Sequence, residues 1–88
     1  MIVGNPLDRA EERRLHQHLH VLLEHGGPTS VACEVSALSM PDIGAVAALA
    51  RLQLTARRLG SSILLRHASV ELLELLAFVG LANVLPTG

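Results

Sequence analysis

The sequence predicts an α/β domain, a small mixed sheet with helices packed against it, in one unit spanning residues 1–88. Three observations predict it. The apolar spacing switches repeatedly between the period of a helix and that of a strand. The switches are punctuated by glycine or proline. The order that results is β-α-β-α-β-α, with connections short enough to favour right-handed crossovers wherever strands run parallel.

Met1 to Val3 reads as the stub of a strand, closed by Gly4-Asn5-Pro6. From Asp8 to about Glu24 the apolar residues Leu15, Leu19, Leu22 and Leu23 recur at helical spacing, and the run ends at Gly26-Gly27-Pro28. Thr29 to Ser36 is rich in β-branched residues, and its alternation puts Val31, Cys33 and Val35 on one side. After a loop from Ala37 to Pro41, a helix is expected from about Asp42 to Leu59. Val46, Leu49, Ala50, Leu52 and Ala56 form its apolar stripe, Arg51, Arg57 and Arg58 point to water, and Gly60 stops it. Ser61 to Arg66 has the length of a buried strand. Ser69 then caps a third helix that runs through Val79 and stops at Gly80, leaving a tail too short for another full helix.

Composition excludes several function classes. With 88 residues the core is modest, and with Phe78 as the only aromatic residue it must be built from Leu, Val, Ile and Ala. The formal charge is −1, with seven arginines and no lysine, so no overall field draws the chain to nucleic acid or to an anionic membrane. Without Trp or Tyr there are no good base-stacking platforms, and Arg51, Arg57 and Arg58 make only a small basic strip. Cys33 is the single cysteine, which excludes an internal disulfide and favours a reducing, cytoplasmic setting. The start, MIVGNPLDRA, lacks the features of a signal peptide, and no apolar run approaches the ~18 residues of a membrane span.

No catalytic, cofactor or metal site is expected. His16 and His20 stand one helical turn apart, a workable pair of imidazole ligands, but Gln17 breaks the HExxH pattern and only Glu12 or Glu24 lies near as a third ligand. Solvent-facing histidines on an amphipathic helix account for them better. Cys33, among apolar strand residues, reads as a small buried hydrophobe rather than a nucleophile. No Gly-rich phosphate loop, Ser-His-Asp set or pair of catalytic carboxylates can be assembled.

The informative stretch is SMPDIGAVAALARLQLTARRLG, residues 39–60, with the acid Asp42 at the mouth of an alanine-rich helix. Two roles are open to it. A carboxylate there satisfies free N–H groups and the helix dipole, a cap worth about 1 kcal/mol. It also presents a fixed negative charge to a partner. Ser39 is a second candidate for the cap, and a candidate phosphorylation site displaced from the helix. Gly44, Ala45, Ala47 and Ala48 either let a partner approach the helix backbone or serve close packing on the sheet.

The stretch CEVSALSMPDIGAVAALARLQLTARRLGSSILLRHASVELLELLAFVGLANVLP resembles the STAS domain, the fold of anti-sigma factor antagonists and of the cytoplasmic tails of sulfate transporters. It carries an apolar strand, a loop with Asp, a helix rich in small residues and arginines, and a closing segment with Ser69, Leu75, Leu76, Gly80 and Leu81. The resemblance runs from about Gly4 to Pro86. In that family the loop usually reads Asp-Ser-Ser-Gly-Leu-Gly, and a partner kinase phosphorylates its second serine. Here Asp42 falls on the Asp, while Ile43 and Gly44 fall on the serines. The resemblance thus implies a docking surface without its phosphoacceptor, since neither residue carries a hydroxyl.

What it implies about function is a bacterial, cytoplasmic, protein-binding regulator of transcription that docks an anti-sigma factor or a histidine-kinase-like regulator. The expected contact is the loop and helix start from Ser39 to Ala47, with Ser39, Asp42, Ile43, Gly44, Ala45 and Ala47 at its centre. The alternative is an accessory STAS-like subunit of a membrane transport ATPase. Relatives usually open with a strand pair and add a helix after the final Gly-Leu, so this sheet is expected to be trimmed at both ends. A trimmed sheet leaves an edge that invites another strand, and a twofold homodimer through Met1–Val3 or the adjoining helix face is expected. The competing expectation is a monomer whose edge the Leu81–Pro86 tail covers.

Overall fold

A computed structural model describes residues 1–88. It contains helix α1 (Arg9–Leu23), strand β1 (Val31–Glu34), helix α2 (Ile43–Arg58), strand β2 (Ile63–Arg66) and helix α3 (Val70–Phe78). The α/β class holds. β1 and β2 pair in parallel, Val31 opposite Ile63 through Glu34 opposite Arg66. Every further pairing is parallel too, Ile2 with Glu34 and Leu65 with Thr87, where a mixed sheet was expected. The cause is connectivity. A helix stands between each of these strands and the next, and such a crossover returns the chain in the same direction.

The helix boundaries follow from local chemistry. Each helix begins after a residue whose side chain accepts a backbone N–H three residues on: Asp8 for α1, Asp42 for α2 and Ser69 for α3. Gly60 and Gly80 sit beyond the ends of α2 and α3 at φ of 81° and 77°, a left-handed backbone that glycine adopts without a Cβ clash.

α2 is the hub of the domain, since α1 and α3 both pack on it and β2 lies against it. The core takes Leu15, Leu19 and Leu23 from α1, Val46, Leu49, Leu52 and Ala56 from α2, and Leu72 and Leu76 from α3. Val31, Cys33, Ile63 and Leu65 join it from the strands, and Val3, Val35, Leu38 and Leu85 from the segments beside them. Leu22, expected in the apolar stripe of α1, is 41 % exposed because it falls beside rather than between Leu19 and Leu23 on the helix face. Both sheet edges are occupied. Met1–Val3 lies along β1, with Glu34 N–H donating to Met1 and Val3 N–H to Glu34, and the tail lies along β2, with Leu65 N–H donating to Pro86 and Gly88 N–H to Leu65. The edge of β2 is therefore closed by the tail rather than left open, and on the outer side of Met1–Val3 the Ile2 carbonyl accepts from Arg14 Nη2 at 3.0 Å. No helix is long and apolar enough to cross a membrane.

Two side chains expected to face water tie α1 to α2, Arg51 while remaining exposed. Arg51 reaches Glu12 with two bonds of 2.7 Å. His16 is half-buried, its Nε2 3.1 Å from Glu12 Oε2 and its Nδ1 2.9 Å from Thr55 Oγ1. The Arg51 guanidinium, helped by His16, holds the Glu12 carboxyl down to about 2 although burial pushes it up. A carboxylate whose native pKa lies below its unfolded value stabilises the fold above the unfolded value and loses that contribution as pH falls through the native one. For Glu12 the window runs from 4.5 to about 2. Glu12→Gln is expected to cost roughly 1 kcal/mol at neutral pH, because Arg51 is half-exposed and the pair partly screened. Across the window the native chain should lose stability more steeply than the variant. Urea midpoints measured over that range check it, and parallel profiles would show that the pair contributes nothing.

Candidate functional site

Because β1 and β2 are parallel, the loops that leave their carboxyl ends lead to the starts of α2 and α3 on the same rim of the sheet. In open α/β sheets this rim is where ligands and partners are usually received. The rim is braced from below. Leu38 turns into the core, 3 % exposed, and its N–H donates back to Val35. With Leu38 anchored, the chain from Ser39 to Gly44 is pushed outward. Glu34 at the end of β1 and His67 just past β2 meet at 2.7 Å, and this contact, with a second from Ser36, holds the Glu34 carboxyl below its usual range.

Asp42 caps α2. Its Oδ1 accepts from Ala45 N–H at 2.8 Å and its carbonyl accepts the first helical bond, from Val46. The residue is also exposed, so its charge faces outward while the cap holds the loop. Ser39 takes no part in the cap. It is exposed, and its hydroxyl accepts from Asn5 Nδ2 at 3.2 Å.

The remaining residues of the expected contact divide. Ile43 is 55 % exposed and Gly44 is exposed beside it. A Cβ at Gly44 would meet only the Asp42 carboxyl group, Oδ1 at 3.3 Å and Cγ at 4.0 Å, so the helix backbone is open to approach there. Ala47 is half-buried. Ala45 and Ala48 are buried, 6 % and 2 % exposed, so their small size serves packing and Ala45 offers the rim only its backbone. Met40, in the loop, is 89 % exposed.

α3 adds surface that sequence reasoning missed. Pro41 shares an open cleft of about 410 Å³ with Glu71, Glu74, Leu75 and Phe78. Phe78, the only aromatic residue, is 86 % exposed. A signal was present: Leu72 and Leu76 define the buried face of α3, and at 100° per residue Phe78 falls on the opposite side from Leu76.

The other polar candidates form no reactive centre. Cys33 is fully buried, and burial pushes its thiol up to about 11, far from a nucleophilic thiolate. His16 is engaged by Glu12 and Thr55, His20 is exposed, and no group of three His, Cys, Asp or Glu side chains is placed to hold a metal ion.

Compared with known protein families, the sequence matches the model described as "Mlab, STAS domain" over residues 3–86. No curated protein matches it. STAS domains are in general non-enzymatic modules that act by binding other proteins. With all but two residues at each end covered by the match, the chain belongs to the STAS domain family, as a regulatory or binding module.

Proposed function

We propose that this STAS domain is a cytoplasmic antagonist-type regulator that docks an anti-sigma factor or a related histidine-kinase-like protein on the mouth of α2. The observation that carries the reading is the outward display of Met40, Ile43 and the bare backbone of Gly44 on a loop held by the Asp42 cap. Ser39, Asp42, Ile43 and Gly44 make the contact with side chain or surface backbone, Ala47 borders it, and Ala45 contributes only backbone. Exposed apolar side chains around an accessible backbone are what a partner needs to exclude water and pack closely.

A photo-crosslinker at Ile43, with Val21 on the exposed side of α1 as the control, tests the docking face in the native cell. The expected product is a soluble nucleotide-binding regulator captured from position 43 and not from 21. Equal capture from both positions overturns the reading. The second reading, an accessory subunit of a membrane transport ATPase, draws on Ile43 and Gly44, which leave no phosphoacceptor at the mouth and suit permanent attachment. Capture of a membrane ATPase would select it.

The same mouth should escape phosphorylation. After incubation with ATP and the captured partner, phosphopeptide mapping is expected to find residues 42–47 unmodified. A phosphate on Ser39 would show that control has moved into the loop. Self-association belongs to the proposal as well, through Met1–Val3, where Ile2 is 69 % exposed. Sedimentation equilibrium is expected to give a mass that rises with concentration above 9.4 kDa, and a constant 9.4 kDa removes the dimer.

A further inference from the structure

Two carboxylates that neither cap a helix nor pair with a cation share a cleft with the only aromatic ring. Of the eight acidic residues, Asp8 and Asp42 cap helices. Glu11, Glu12, Glu24 and Glu34 lie within ion-pair distance of Arg14, Arg51, His25 and His67. Glu71 and Glu74 have neither duty, although Glu71 stands in the first turn of α3, where the helix dipole favours it, and both line the cleft with Pro41, Leu75 and Phe78, where no cationic side chain stands. Three residues apart on α3, they repel each other slightly. Phe78 leaves an apolar ring in water a helical turn beyond Glu74. Arrangements that cost stability and sit together on a surface point to something outside the chain.

We propose that this cleft receives a basic amphipathic helix of the partner protein. Its apolar side chains cover Phe78, Pro41 and Leu75, and its Arg or Lys side chains meet Glu71 and Glu74. Charge selects the occupant: two unpaired carboxylates favour a cationic partner and disfavour an acidic peptide, a nucleic acid or an anionic membrane. Shape selects a helix. The cleft lies between a helix and a loop and has no open strand edge for an extended peptide to join, whereas a helix lays anchors into such a groove at i, i+3, i+4 and i+7. Phe78 can take both parts of the contact, packing apolar side chains and receiving a guanidinium over its face. The inference rests on the docking reading of the α2 mouth, since a partner on Ile43 and Met40 reaches Pro41 and α3 next.

The test uses two synthetic helical peptides of about 18 residues, five turns, with the same leucine face and either arginine or glutamate on the other. Binding is read from the methyl signals of Met40 and Ile43 and the ring signals of Phe78 by NMR. The arginine peptide is expected to shift these signals and the glutamate peptide to leave them. Glu71→Lys/Glu74→Lys should weaken the arginine peptide about tenfold and admit the glutamate peptide, and Phe78→Ala should weaken the arginine peptide as well. These positions are exposed, so the variants should fold, and their unperturbed core methyl signals confirm it. Equal binding of the two peptides, no binding, or shifts centred on α1 overturns the proposal. So does a self-association that Phe78→Asp abolishes, since a second copy would then cover the ring. If the crosslink from Ile43 persists unchanged in Glu71→Lys/Glu74→Lys and in Phe78→Ala, the basic helix is excluded while docking at the α2 mouth stands.

Discussion

Leu49→Ala and Leu76→Ala are each expected to destabilise the domain by about 2–5 kcal/mol, while Arg57→Ala stays within about 0.5 kcal/mol. Leu49 is fully buried in the middle of α2, and Leu76, 1 % exposed, is one of two buried side chains of α3. Truncation removes apolar contact and leaves a cavity that a close-packed interior only partly refills. The loss is large against the total, which for a domain of this size is about 5–15 kcal/mol. Leu76→Ala should bear on the candidate rim as well, because α3 is held to α2 through that face. Arg57 is exposed, and its side chain makes no hydrogen bond or ion pair, so little is lost with it. Chemical denaturation gives the comparison directly. Equal midpoints for Leu76→Ala and Arg57→Ala would mean that the assigned helix faces are wrong.

Much of this architecture was legible because it is written in short-range chemistry. Asp8, Asp42 and Ser69 announce helix starts, Gly60 and Gly80 announce helix ends, and the alternation of Val31, Cys33 and Val35 gives the buried face of β1. Each of these acts within a few residues of itself. The strands came out shorter than the apolar runs suggested: Thr29, Ser36 and Ser61 lie outside Val31–Glu34 and Ile63–Arg66, although Ser62 N–H still donates to Thr29 O at 3.2 Å.

What was not legible depends on residues far apart in the chain. Glu12 and Arg51 are 39 positions apart, as are His16 and Thr55, so periodicity assigns both Arg51 and His16 to water. At the candidate rim, Asp42, Ile43 and Gly44 could be placed from the helix start alone. Ala45 could not, because one step around α2 turns its methyl inward. The α3 half of the rim was hidden for a different reason. Phe78 sits at the end of an apolar segment, VELLELLAF, in which overall hydrophobicity conceals which residues point out.

Gln53→Leu is expected to cost about 3 kcal/mol, as much as a core cavity, although it replaces a polar group by an apolar one of similar size. Gln53 sits on α2 among residues that read as a mixed surface, yet it is 1 % exposed. Its Oε1 accepts Ile63 N–H at 2.7 Å, and its Nε2 donates to Val84 O at 2.8 Å and, at 3.4 Å, to Ile63 O. Along a strand, alternate residues present their backbone groups to the same side, so Ile63 and Leu65 both face away from β1. The tail satisfies Leu65, through Pro86 and Gly88. Gln53 satisfies Ile63. One side-chain amide thus stands in for a strand at the place the tail does not reach, and the same amide holds the tail through Val84. Leucine would leave these buried backbone groups without partners, at roughly 1–3 kcal/mol each where no water replaces the bond. Gln53→Glu separates hydrogen bonding from shape. Ionised, the new carboxyl can accept from Ile63 but cannot donate to Val84, and its charge is buried. Protonated, it can do both. Its native pKa is therefore raised above the unfolded value, so the variant's stability is fullest below the unfolded value and is lost as pH rises through the native one. Urea midpoints of Gln53→Glu are expected to rise as pH is lowered from neutral toward the ordinary Glu value near 4.3, while those of Gln53→Leu do not. A Leu variant as stable as the native chain would show that the amide is only filling space, and that the edge of β2 is held by the tail alone.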